Sequence, residues 1–336
     1  MTSLLRLLAT RGGGAILLTL GLFATAHGAE PDSLRVARLE VAEIEFVFAT
    51  PEQGRAILSR RDAYLERLSP FDRQSRRQSR EPVDEAEYLE FVRGEVRPWE
   101  PAEQARVAEL LKSLDTPLAN LSLPPLNTVH LIHTSGREES GAAYTRGSAI
   151  VLPATRLQRA DQDQLKTLLA HELFHVLSRQ NPELRDQLYA LIGFAPSNEI
   201  ELPESLAAKR ITNPDAPAIA HVLQLKLADD SIVSVAPVLF ANADYDPASR
   251  ASMFAYLTFQ LMQVQPDAEG QFQAVLESGA PVFHSPSEPD YRRQIGRNTG
   301  YIIHPEEVLA DNFAMLVTGN TDVPDPWLLD ALRKAL

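Results

Sequence analysis

The segment His171-Glu-Leu-Phe-His175 constrains this chain more than any other stretch of it. It lies in a run whose apolar residues, Leu165, Leu168, Leu169, Leu173, Val176 and Leu177, recur at helical spacing. Asp161-Gln-Asp-Gln164 supplies a variant capping box, and Asn181-Pro182 a stop, so the pattern predicts a helix over 162–179. Residues four apart on a helix share a face, one turn above the other. Both imidazoles can therefore reach a single cation at about 2.0–2.1 Å. Glu172 falls beside them, placed to take a proton from water. The plainer reading is two hydrogen-bonded histidines on an ordinary helix.

A metal site with one open position needs a further protein ligand from elsewhere. The chain has no cysteine, so thiolate ligands, disulfides and a cysteine nucleophile are all excluded. The best source is Tyr301-Ile-Ile-His-Pro-Glu-Glu-Val-Leu-Ala-Asp-Asn-Phe313, helical from Pro305 to Val317. Glu307 and Asp311 share a face there. One carboxylate can bind the cation while the other accepts the free N–H of a ligating imidazole and fixes its ring. Glu199, Glu201 and Glu204 lie nearer in sequence and are alternatives, as is Glu306. His304 can either stabilise a developing negative charge or cap the helix that follows it.

His171-Glu-Leu-Phe-His175 followed by Glu307-x-x-Ala310-Asp311-x-Phe313 resembles the gluzincin branch of the zincin metallopeptidases. The resemblance implies Zn2+ held by His171, His175 and Glu307, with Glu172 as general base and Asp311 as orienting partner. It also implies a peptide or protein substrate and, for Tyr301, a role as oxyanion donor. The separation of His175 from Glu307 is longer than in many gluzincins; a strand-rich insertion around 223–280 accounts for it. A zincin-like scaffold that binds zinc without turnover is the alternative.

The remaining sequence reads as α+β: mostly helical, with a small mixed or antiparallel sheet beside the active-site helix. Residues 30–120 form an N-terminal region that is mainly helical from about 34 to 114, and 121–336 the zincin-like domain. A proline-bearing linker spans Asp115 to Asn127. Thr128–Thr134 and Ala143–Leu152 read as two strands of a hairpin or small sheet, with Ala143–Ile150 as an edge on which an extended substrate can lie. Strands are expected between Leu223 and Phe240, and helices at 248–265 and 268–278. His130 and His133 face opposite sides of their strand and cannot chelate together. Asn213-Pro-Asp-Ala-Pro217 reads as a turn without chemistry.

Residues 1–29 have the layout of a secretory signal peptide: Arg6 and Arg11, a short apolar run from Ala15 to Ala26, then small residues. The run falls short of the roughly 20 residues of a comfortable bilayer span. Export to a bacterial periplasm or beyond is expected, with an N-terminal anchor if the segment stays uncleaved. No membrane contact is expected elsewhere. A net charge of −13 disfavours nucleic acid as a partner. The one basic cluster, Arg73, Arg76, Arg77 and Arg80, reads as a solvated face.

Overall fold

Arg38–Val41 (β1) and Ile44–Phe48 (β2) alternate apolar and polar residues and pair antiparallel through Ala42-Glu43. Both turn residues have positive φ, 47° and 64°. These coordinates, a computed structural model, describe residues 38–249 and 251–336; the expected signal segment lies outside them. The described residues belong to one unit, Val36–Leu336.

Six helices follow the hairpin: Pro51–Leu58 (α1), Ala63–Arg67 (α2), Pro70–Arg77 (α3), Glu85–Glu95 (α4), Pro101–Lys112 (α5) and Asp115–Ala119 (α6). The helical reading of 34–114 thus fails at its start, where a hairpin stands, and the expected linker begins with α6.

The chain then returns to the first sheet as Val129–Thr134 (β3), Tyr144–Arg146 (β4) and Ala149–Pro153 (β5), in the order β1-β2-β3-β5-β4. Of the hairpin and the small sheet expected here, the sheet is what forms. β3 runs parallel to both β2 and β5, and the hairpin is β4–β5, closed through Gly147 at φ 58°. The reason is burial: β3 and β5 are covered on both faces, the environment of central parallel strands.

After Ala154–Arg159 (α7) comes the long helix Gln162–Gln180 (α8), then Pro182–Ala190 (α9). A second, antiparallel sheet contains Phe194–Pro196 (β6), His221–Lys226 (β7), Ile232–Ala241 (β8), Leu257–Pro266 (β9) and Phe272–Ala274 (β10), with the short helix Glu204–Ala207 (α10) between β6 and β7. Leu276–Glu277 (β11) pairs Ala280–Pro281 (β12), and Phe283–His284 (β13) pairs β9. The helices expected at 248–265 and 268–278 do not form among the described residues: β9, β10 and β11 lie in these spans instead, with a 3-10 turn at Met253–Ala255 before β9. β9 is pinned along its length by β8, from Ser234↔Val264 to Ala241↔Leu257. Pro289–Ile295 (α11), Pro305–Thr318 (α12) and Pro326–Ala335 (α13) complete the α+β fold.

The site is positioned by the packing of α8 against α12 over the first sheet. Phe46, Leu131 and Ile150 of the sheet share one buried cluster with Leu169 and Phe174 of α8 and Phe313 of α12. The Phe174 and Phe313 rings lie 5.6 Å apart. Each such side chain contributes roughly 1.5–3 kcal/mol by leaving water, which fixes the two helices face to face. Among the described residues, no helix is long and apolar enough to cross a membrane.

Candidate metal centre

α8 starts as expected: Asp161 Oδ1 accepts from the Gln164 amide at 2.8 Å, and Gln164 Oε1 accepts from the Asp161 amide at 3.1 Å. α12 begins with Pro305 after His304, whose Nδ1 accepts from the Glu306 amide at 3.1 Å. Two turns of α8 and one face of α12 thereby meet.

His171 Nδ1 lies 2.8 Å from Asp311 Oδ1, and His175 Nδ1 lies 2.9 Å from Glu306 Oε1. Each carboxylate accepts the Nδ1 proton, which leaves the Nε2 lone pair of each ring pointing inward. Those two Nε2 atoms lie 3.2 and 3.5 Å from the same oxygen, Glu307 Oε2. Donor atoms of His171, His175 and Glu307 all fall within 4.8 Å of one another, so these residues could hold a metal ion. The fit has a second mark: His175 Nε2 is buried without a hydrogen-bond partner. A buried unpaired acceptor is costly unless something is placed there.

The electrostatics follow from this crowding. Burial alone would lower the His171 pKa, but hydrogen bonds to Asp311 and Glu307 outweigh it and carry the ring up to about 10, so a cation taking the Nε2 lone pair has to displace a proton there. Burial, then the nearby Asp215 charge, pushes Glu172 up to about 8. Glu172 is 2% exposed, and its Oε2 has no hydrogen-bond partner.

The histidine turn falls within a span that resembles a known family. Residues 131–183 match the family model described as eCIS core domain. The matched span runs from β3 into the start of α9, and so includes His171, Glu172 and His175 but not Glu307. No curated protein and no solved structure matches the chain.

The other residues singled out from sequence divide. Asp311 stands where expected and also accepts from Thr299 Oγ1. Tyr301 lies over His171, ring centroids 6.2 Å apart, and lines the open cleft with His171, Glu172, Glu307 and Asp311. His304 does not join them: it caps α12 and lines a separate cavity with Tyr189, His221 and Glu306. There burial pushes its pKa down to about 4. Glu306 is not a ligand but the partner of His175, and it also accepts from Ser178 Oγ and Tyr189 OH. Glu199 is paired with Arg67, while Glu201 and Glu204 are exposed. Arg76 departs from the solvated face expected for it, because it is buried against Asp72 and Glu139.

Asn213–Pro217, expected to be a turn without chemistry, instead brings two side chains to the site. Asn213 Nδ2 donates to Glu307 Oε1 at 2.5 Å. Asp215 Oδ1 accepts from Thr145 N at 2.8 Å and Thr145 Oγ1 at 2.6 Å, which closes the edge strand β4 at that residue. Asp215 also comes within 4.8 Å of Glu172 and His175 donor atoms. An Asn-Pro-Asp turn gives a helix or strand pattern nothing to work on; the available signal was two polar side chains with no periodic role.

Proposed function

We propose that the chain is a zinc-dependent hydrolase of gluzincin type that cleaves peptide bonds. The observation that carries this reading is the convergence of two imidazole nitrogens on Glu307 Oε2, each ring held from behind by its own carboxylate. An all-nitrogen-and-oxygen donor set without cysteine suits zinc in a catalytic role.

His171, His175 and Glu307 hold the ion in this reading, with Asp311 and Glu306 fixing the two rings. The zinc, when bound, supplies Lewis acidity toward water and the scissile carbonyl. Glu172, unpartnered and beside the rings, takes a proton from the attacking water and delivers it to the nitrogen as the C–N bond breaks. Tyr301 donates a hydrogen bond to the oxyanion from the cleft wall, an interaction of about 2.7–4 kcal/mol where such donors have been removed. The N-terminal segment supports export, so the substrate would be met in a periplasm or outside the cell.

Metal analysis of the purified protein is expected to give one zinc per chain, and a mixed peptide library to be cut only without chelator. Glu172→Gln should retain zinc and lose about 100-fold or more in turnover. Full activity in that variant, or no bound metal in the native chain, would overturn the reading.

A further inference from the structure

The segment 211–217 borders the cleft at Asp215 as a strap clamped on both sides. Arg76 Nη2 donates to the Thr212 carbonyl at 2.8 Å, and Thr212 N donates to Asp72 at 3.1 Å. Arg179 Nη2 donates to the carbonyls of Pro214 and Asp215 at 3.2 and 3.1 Å, while its Nη1 reaches Thr145 Oγ1 at 2.7 Å. A strap held this way is part of the cleft wall rather than a mobile tip.

Two consequences meet at Asp215. First, β4 is the open edge of its sheet, and a peptide extending that sheet would need the outward N–H groups of the strand. The one at Thr145 is already taken by Asp215, so a paired peptide must end there. Second, the cleft is lined by Asp163, Glu172, Asp215, Glu307 and Asp311 against Arg156 and His171, with Glu172 held up at about 8 and so largely neutral at pH 7. A divalent ion offsets only two of those charges, which leaves the cleft negative and favours a cationic chain end over an anionic one. Asp215 Oδ2 makes no hydrogen bond among the described residues, whereas its Oδ1 is saturated by Thr145.

We infer that Asp215 makes this cleft select peptides with a free amino terminus, whose ammonium group lies against the Asp215 carboxylate where the strap ends the groove. This rests on the peptidase reading and narrows it to removal of residues from the amino end. Asp215 is the specificity-determining residue of that selection.

The test uses the zinc-loaded full chain and one peptide sequence in two forms, free and N-acetylated. The free form is expected to be cut roughly 30-fold or more faster in kcat/KM, the scale of a desolvated charge contact. Asp215→Asn keeps an acceptor for Thr145, and is expected to raise KM for the free peptide alone and collapse the free-to-acetylated ratio, whereas the lost charge beside Glu172 changes kcat for both forms alike. Equal zinc content and melting temperature in this variant would exclude simple loss of the strap. A second measurement avoids turnover: calorimetric binding of both peptides to Glu172→Gln, with and without Asp215→Asn. Equal cleavage or binding of the acetylated peptide, a ratio that survives Asp215→Asn, or no binding of either form would overturn the inference. Selective binding of the free form by Glu172→Gln, in a protein whose native chain cuts neither, would sink the hydrolase reading and leave the role of Asp215 standing.

Discussion

Glu307 turns one oxygen to the imidazoles because Asn213 holds the other. Removing an orienting partner of a metal ligand costs about 10–100-fold in metal affinity, so Asn213→Ala is expected to lose zinc affinity in that range. Chelator competition measures it. Asn213→Asp should do no better, since a carboxylate cannot donate to Glu307 and adds a like charge. Away from the site, Glu138 is buried beside Glu139 and the Tyr144 hydroxyl, with Oε2 unpartnered. Burial, eased by a Thr134 hydrogen bond and reinforced by Glu139 and Glu95, pushes its pKa up from 4.5 to about 7. The folded state therefore holds a proton that the unfolded chain releases earlier. The stability this residue contributes is full below about pH 4.5 and is lost as pH rises through about 7. Glu138→Gln should flatten that decline, matching the native chain near pH 4.5 and exceeding it at pH 8 by about 1–3 kcal/mol in denaturant titrations. Equal slopes in the two proteins would show that Glu138 does not titrate in this window. At this scale the sequence disclosed the residues with a spacing rule, His171, His175, Glu307 and Asp311. It hid Asn213 and Asp215, which reach the site only through the path of a strap.

Elements were legible where a local rule decides them. Asp161 and Gln164 announce α8, and Pro305 opens α12, because capping and proline chemistry act within one turn. β9 shows the opposite case. Leu261 faces the main core while Met262 and Val264 face a separate cluster with Val222 and Val238, so burial on both faces erases the alternation that marks a strand. Its identity comes from pairing with β8, which no window of the sequence contains. The β1–β2 hairpin was missed for another reason. Its alternation is present, but the turn Ala42-Glu43 carries no residue that favours positive φ. A left-handed conformation costs a residue with a Cβ roughly 1–2 kcal/mol. Replacing Ala42-Glu43 by Asn-Gly should therefore stabilise the fold by about 1–2 kcal/mol, read as a shifted urea midpoint at constant slope. An unchanged midpoint would mean that the turn carries no such strain, since the bond from the residue 42 amide to Asp115 Oδ1, 2.7 Å, is kept in both proteins.

For the molecule as a whole, the centre joins parts that local interactions leave far apart. His171 and His175 ride on α8, inside the family-matched span, whereas Glu307 arrives on α12 after the entire second sheet has been built. The contact between them buries Glu172, His175, Glu306 and Glu307 together, an arrangement that apolar packing around Phe174 and Phe313 alone must otherwise sustain. A cation bound by the native state and not by the unfolded chain adds about 4.1 kcal/mol when present at 1,000 times its Kd. For a chain of this size each kcal/mol moves Tm by about 1–2 °C, so full chelation is expected to lower Tm by roughly 6 °C. Glu307→Ala should melt at one temperature with or without chelator, because the ligand that ties α12 to α8 is gone. If chelator instead lowered Tm equally in both proteins, the stabilising ion would sit elsewhere, and α8 and α12 would owe their union to the apolar contacts alone.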